Sequence, residues 1–223
     1  MSRCPGLLAA CLISIAGGCD RMPGAALPER MADAPAPDTF QSLYATNCAG
    51  CHGADGTHAP ARALRDGAYM AAVDDAYLTR VIADGAGLMM PAFAASQGGA
   101  LTPEQIQILV AGMRRGFAVP GVRVTMPGVF PGGGDVQRGQ AAFASACASC
   151  HGNDSDGGEA GCVTSADFLR LVSDQALWTA VVFGRTDLGM PGAAGPFGQR
   201  EAPLSLQEAR DLVAYLASLR PNY

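Results

Sequence analysis

The chain has 223 residues, a formal net charge of −5 and no lysine. An acidic balance excludes nucleic acid as a natural partner, and the missing lysines exclude docking through a lysine ring. The length allows one or two domains; two small ones would each bury too little apolar surface to be secure alone, so a flat apolar group held inside would supply missing core.

Residues 1–19 read as an export signal, with Arg3 as a short positive region and an apolar stretch from Leu7 to Ala16 too short to span a bilayer. The segment ends Ile15-Ala16-Gly17-Gly18-Cys19, small residues before a cysteine, which resembles the bacterial lipoprotein cleavage box. Ala16 departs from the leucine preferred there; Cys11, preceded by Leu8-Ala9-Ala10, fits the box but leaves almost no apolar region. Cys19 is therefore the expected lipidation site, with ordinary signal cleavage as the alternative. Processing removes Arg3 and takes the charge to −6. Residues 20–37 are rich in alanine and proline without periodicity and read as a disordered tether.

Order is expected from Asp38, placed to cap a helix in which Phe40, Leu43, Tyr44 and Cys48 follow at helical spacing. That helix leads into Cys48-Ala49-Gly50-Cys51-His52. A loop over 53–67 follows. A second helix starts at Asp74 or Asp75, presents Leu78, Val81 and Ile82, and stops at Gly85; Met89-Met90-Pro91 comes next. Thr102-Pro103-Glu104-Gln105 is a capping box opening a third helix through Ile106, Leu109, Val110 and Met113. Proline and glycine over 117–134 mark a linker. From Asp135 the pattern restarts at an offset of 99: Cys48 goes to Cys147, Tyr69 to Phe168, Asp75 to Asp174, Leu78 to Leu177 and Gly85 to Gly184. The chain is an internal duplication, 38–116 and 135–223, with Ser205 and Glu208 boxing the last helix.

The chemistry lies in Cys48-x-x-Cys51-His52 and Cys147-x-x-Cys150-His151. Two thiols at this spacing can bond one haem while the next imidazole takes its iron. Zinc held by both Cys-x-x-Cys pairs is the competing reading, but zinc requires neither the two histidines nor the Met-Pro that follows each motif at matching distance. The chain has three histidines, and His58 reads as an exposed loop residue. Methionine fills the remaining axial position: Met90 is 38 residues beyond His52, Met190 is 39 beyond His151, and each precedes proline. Met89 is the rival to Met90, whereas Met70 and Met113 sit at helical spacing and read as core. Of the remaining cysteines, Cys162 is expected as a small filler or an idle loop thiol.

These residues resemble the class I c-type cytochromes, and the duplication resembles their dihaem members. The resemblance implies an all-α chain of two tandem haem domains, two covalent haem c groups on Cys48, Cys51, Cys147 and Cys150, and iron held by His52 with Met90 and His151 with Met190. Six-coordinate iron with a thioether donor passes single electrons and leaves no open site for substrate, so an electron-transfer protein is expected rather than an enzyme. The leading expectation is a periplasmic, membrane-tethered carrier between a quinol-oxidising bc-type complex and a terminal acceptor such as a haem-copper oxidase. The second is a fixed subunit of a quinol-oxidising complex or membrane dehydrogenase. A dihaem peroxidase is the third, disfavoured by the shortage of histidine. Residues 135–223 hold ten acids and six arginines, with Asp154, Asp156 and Glu159 after the second motif, so redox partners with a basic or apolar surface are expected. In this family the first and last helices cross closely, a small residue receiving an aromatic one. The second repeat offers Gly139 and Tyr215, and the first is expected to exchange the roles, with Phe40 over Gly112.

Overall fold

The computed structural model describes residues 38–57, 60–153, 157–197, 200 and 202–221. The expected signal and tether over 1–37, Cys19, His58, Asp154 and Asp156 lie outside these. The described chain is helical: α1 Phe40–Asn47, α2 Ala49–His52, α3 Gly67–Ala72, α4 Asp75–Asp84, α5 Pro103–Phe117, then α6 Val136–Ala146, α7 Ala148–His151, α8 Ala166–Leu171, α9 Asp174–Phe183 and α10 Leu206–Ser218. Among the described residues extended pairing is limited to isolated bridges, and none of the helices there is long and apolar enough to cross a membrane.

Side-chain caps explain where the helices begin. Asp74, Asp135 and Ser173 each accept a backbone N–H of the first turn, and the boxes at Thr102 and Ser205 are both closed. The expected cap at Asp38 is displaced by one residue: Thr39 accepts from Ser42 N–H at 3.2 Å. Asp38 instead accepts from the Gln105 side chain at 2.7 Å and ties the chain start to α5. The end of the third helix also moves. Phe117 was expected in the linker, but it is buried in the last turn of α5, edge-on to Phe40 and Tyr44 with centroids 5.8 and 5.4 Å away.

Both repeats rest on a close crossing of first and last helices, with the roles of large and small exchanged as expected. A β-carbon on Gly112 would overlap the Phe40 ring. A β-carbon on Gly139 would overlap the Asp211 backbone carbonyl and lie 2.7 Å from Tyr215 Cβ. The Tyr215 ring then meets Phe143 at a tilt, centroids 5.6 Å apart. Asp211 adds a polar knot here: it is 1 % exposed and accepts from Asp135 N–H (2.7 Å), Arg138 Nε (2.8 Å) and Gln207 Nε2 (2.8 Å).

The turn after each short third helix is clamped by arginine. Arg114 donates to the Met70 and Val73 carbonyls and to Asp75; Arg220 donates to the Leu169 and Val172 carbonyls and to Asp174. One planar fork can serve two carbonyls and a carboxylate, which an ammonium point charge does less well.

The proline-rich connection is packed between the repeats. Gly128 leaves no room for a β-carbon against the Ala72 carbonyl and Val73 on one side, and its own carbonyl accepts from Gln175 Nε2 at 2.9 Å on the other. Trp178, fully buried, donates to the Pro127 carbonyl at 2.9 Å and meets the Phe130 ring at 5.5 Å.

Two outcomes follow. Gly139→Ala should destabilise the protein more than Gly112→Ala in denaturant unfolding, because a backbone carbonyl cannot swing aside as a phenyl ring can; overpacking of this kind costs about 1–3 kcal/mol. Gly116→Ala, with open space around it, should be neutral or stabilising by up to about 1 kcal/mol, and an equal loss at all three would contradict the crossing. For Asp211, the Arg138 guanidinium holds the carboxyl below its usual range against the opposing effect of burial, with further help from Asp135 N–H and Gln207. A depressed folded-state value gives stability that is complete above the unfolded pKa of about 3.9 and lost as pH falls through the folded value. Asp211→Asn should lower stability at neutral pH by about 1–3 kcal/mol and flatten this acid limb; an unchanged acid limb would show that Asp211 is not its source.

Candidate functional site

Each Cys-x-x-Cys-His motif forms by a break and a restart. The chain leaves α1 at Cys48 and α6 at Cys147, then takes one further turn, α2 or α7, that ends at the positive-φ glycine after the histidine. Cys48 and Cys147 are half-buried at the break, and Cys51 and Cys150 are exposed on the turn. Both thiols of each pair thus leave one short helical surface. Burial, with the neighbouring Cys51 or Cys150 second, pushes the free Cys48 and Cys147 thiols up to about 11.

The histidines are oriented by the backbone ten residues on. His52 Nδ1 lies 2.8 Å from the Arg62 carbonyl and His151 Nδ1 lies 3.0 Å from the Gly161 carbonyl. A carbonyl only accepts, so Nδ1 carries the proton and Nε2 keeps its lone pair for a metal. Burial holds His52 below the ordinary imidazole range, which keeps this neutral form at physiological pH. The supporting loops are pinned in parallel: Ala61 N–H donates to the Cys51 carbonyl and Ala160 N–H to the Cys150 carbonyl, both at 3.0 Å.

The Met-Pro segments are brought in by the glycines that end α4 and α9. Gly85 has φ +81° and Gly184 φ +70°, and a β-carbon on either would overlap the following methionine's carbonyl, Met90 or Met190. Backbone freedom and close approach are both required, so glycine is dictated twice. Met90 then pairs with Ala86, and Met190 with Arg185 by two backbone bonds of 3.0 Å. The second loop holds one residue more, the difference already visible in the 38- and 39-residue spacings. Met90 is partly buried against the core, whereas Met89 is 67 % exposed. Met70 and Met113 are core.

In the second repeat a cavity of about 270 Å³ brings the pieces together: Cys147, Cys150, His151 and Met190 line it, with Phe197 and Leu204 among its apolar walls. Two thiols, an imidazole, a thioether and apolar walls fit a covalent haem. A larger cavity of about 530 Å³ over the α1–α5 crossing is lined by Asp38, Arg65 and Arg115 and holds none of these donors. Among the described residues no three of His, Cys, Asp and Glu converge into a metal cage. Cys162 is partly buried with Sγ 3.3 Å from Thr164 Oγ1.

Sequence reasoning missed two residues here. Arg62 and Arg185 sit in the His52 and Met190 loops and reach across to the other repeat: Arg62 Nη2 donates to the Thr179 and Gly184 carbonyls at 2.9 and 3.1 Å, and Arg185 Nη1 to the Pro60 carbonyl at 3.3 Å. The 99-residue offset was the available signal, since it aligns Arg62 with Gly161 and Arg185 with Ala86.

Residues 35–111 match the family described as cytochrome c oxidase, cbb3-type, subunit III, and residues 136–220 match the family described as cytochrome c. No curated protein sequence matches the chain. Among solved structures, the chain is similar to the KustC0563 c-type cytochrome, at 31 % identity over 36 % of this chain and 99 % of that one, TM-score 0.32. It is also similar to a Kuenenia stuttgartiensis reducing HAO-like protein complex, Kustc0457/Kustc0458, at 19 % identity over 84 % and 100 %, TM-score 0.48.

Gly184→Ala should loosen the Met190 loop. In hydrogen exchange the Met190 amide should lose protection, and stability should fall by more than the roughly 1–2 kcal/mol that a positive φ alone costs an alanine. Retained protection would mean that Gly184 is not what seats the loop.

Proposed function

Starting from a chain that belongs to the c-type cytochromes, with two such domains in tandem, we propose that it is a dihaem electron-transfer protein whose two irons are each held by one histidine and one methionine. Cys48 and Cys51 would bond one haem and Cys147 and Cys150 the other; His52 with Met90, and His151 with Met190, would supply the axial donors. The observation that carries this reading is the cavity lined together by Cys147, Cys150, His151 and Met190, with its counterpart loops repeated around His52 and Met90. The bound group supplies reversible one-electron chemistry. The chain would bond it through the four thiols and leave Nε2 of each histidine unprotonated for its iron, and in the second repeat would wall it with apolar side chains; an apolar wall and a thioether donor both favour the less charged ferrous state.

The protein is read as tethered at the periplasmic face of the membrane through lipidated Cys19, carrying single electrons between a quinol-oxidising bc-type complex and a terminal acceptor such as a haem-copper oxidase. The similarity of residues 35–111 to an oxidase subunit III favours a second reading, a fixed subunit of a membrane oxidoreductase complex. Solubilisation in mild detergent separates the two: a carrier migrates alone, and a subunit migrates with a partner cytochrome or dehydrogenase.

The ligand assignment has its own test. The ferric protein should show a sulfur-to-iron charge-transfer band in the near infrared, and Met190→Ala should remove about half of it, one thioether ligand of two. An unchanged band would exclude Met190 as a ligand, and loss on Met89→Ala rather than Met90→Ala would reassign the first site.

A further inference from the structure

The His52 ring needs only a backbone carbonyl from position 62, as its counterpart Gly161 demonstrates by doing the same for His151 without a side chain. Yet position 62 carries an arginine, and its side chain is only 15 % exposed. A guanidinium withdrawn from water is costly unless its donors are matched. Here they are matched largely by the other repeat. Nη2 donates to the Thr179 carbonyl and to the carbonyl of Gly184, the glycine seated beneath Met190; Nη1 pairs with Asp66 at 3.0 Å. The plane lies over the Tyr69 ring at 4.8 Å and the Phe183 ring at 5.6 Å, one from each repeat. Arg185 is the reciprocal case. Its backbone makes both bonds to Met190, and its side chain, held at Nε and Nη2 by Asp187 of its own loop, reaches the Pro60 carbonyl through Nη1 at 3.3 Å, next to the Ala61 amide that pins the Cys51 turn.

Each repeat therefore extends an arginine from its own redox loop into the redox loop of the other, at positions where the sister repeat has glycine or alanine. We infer that Arg62 and Arg185 form a reciprocal clasp that positions the His52 side of the first site against the Met190 loop of the second, making the two sites one coupled redox unit. Coupling means that the electron occupancy of one site alters the affinity of the other for its electron, and the alteration is reciprocal. No bond forms or breaks and no proton moves. Each electron comes from the redox protein partner that the proposed function already requires, and the inference rests on that function.

The test uses the full holoprotein with Arg62→Gln, Arg62→Lys and Arg185→Gln, followed by hydrogen exchange of the 60–66 and 184–190 segments and by a spectroscopic redox titration. Arg62→Gln should speed exchange at the Arg185 and Met190 amides by roughly tenfold or more, the equivalent of losing one hydrogen bond to a charged group, and should shift the midpoints of both sites. Arg62→Lys restores the charge without the fork, so the midpoints should move back toward the wild type while exchange stays fast. Arg185→Gln approaches from the other repeat and should speed exchange at Ala61, which keeps the test open if an Arg62 variant fails to fold. The clasp is overturned if Arg62→Gln disturbs only the 60–66 segment and only one midpoint. A purified chain without covalent haem would instead sink the proposed function, and the exchange arm would still judge the contact itself.

Discussion

Each repeat depends on a helix crossing with no space for a β-carbon on its glycine, against a ring in the first repeat and a backbone carbonyl in the second. Phe40 over Gly112 fixes α1 on α5, and Gly139 under the Asp211 carbonyl and Tyr215 fixes α6 on α10. The far ends of α1 and α6 break at Cys48 and Cys147, so the crossing also sets where the thiols stand. From the other side Leu101 and Leu204, both buried, pair back to Phe93 and Ala193 and hold the segments that follow Met90 and Met190. In the second repeat Cys147, Cys150, His151 and Met190 are thus brought to one cavity by two anchors, a crossing and a glycine-ended helix, and the loops between them only have to span the gap.

Arginine does much of the remaining joining. With no lysine in the chain, the cations that meet backbone carbonyls are planar forks: Arg114 and Arg220 close the turns within the repeats, and Arg62 and Arg185 close the gap between them. Free carbonyls at helix ends are the natural acceptors for such groups, since the last turn of a helix leaves them without partners.

Much of this was legible in the sequence because it is local. Capping boxes, the Cys-x-x-Cys-His spacing, the glycines after α4 and α9 and the exchange of Phe40 with Gly139 can all be read from a few neighbouring letters and one offset. The six-residue α3 and α8 escaped because they are too short to establish a period, and Thr39 displaced Asp38 as cap because either residue type can serve. At the linker composition was silent on packing: proline and glycine announce the absence of helix, not whether partners exist, and Trp178 and Gln175 supply those from 45 to 51 residues away. The two clamps were hidden differently. Arg114 lies inside α5 and Arg220 beyond the end of α10, so the same turn is closed from positions that no fixed offset would pair.

The exchanged crossing also acts as a pairing code. Two repeats in one chain share enough pattern that the first helix of one could mate with the last helix of the other, the error that tandem duplicates are prone to. Packing α1 on α10 would press Phe40 into the place that the Tyr215 ring occupies, and packing α6 on α5 would set Gly139 against Gly112 and leave a void. One wrong partner is too large and the other too small, so mismatch penalises both swapped forms by opposite means. A duplication that kept the same large and small residues at both crossings would have had no such discrimination.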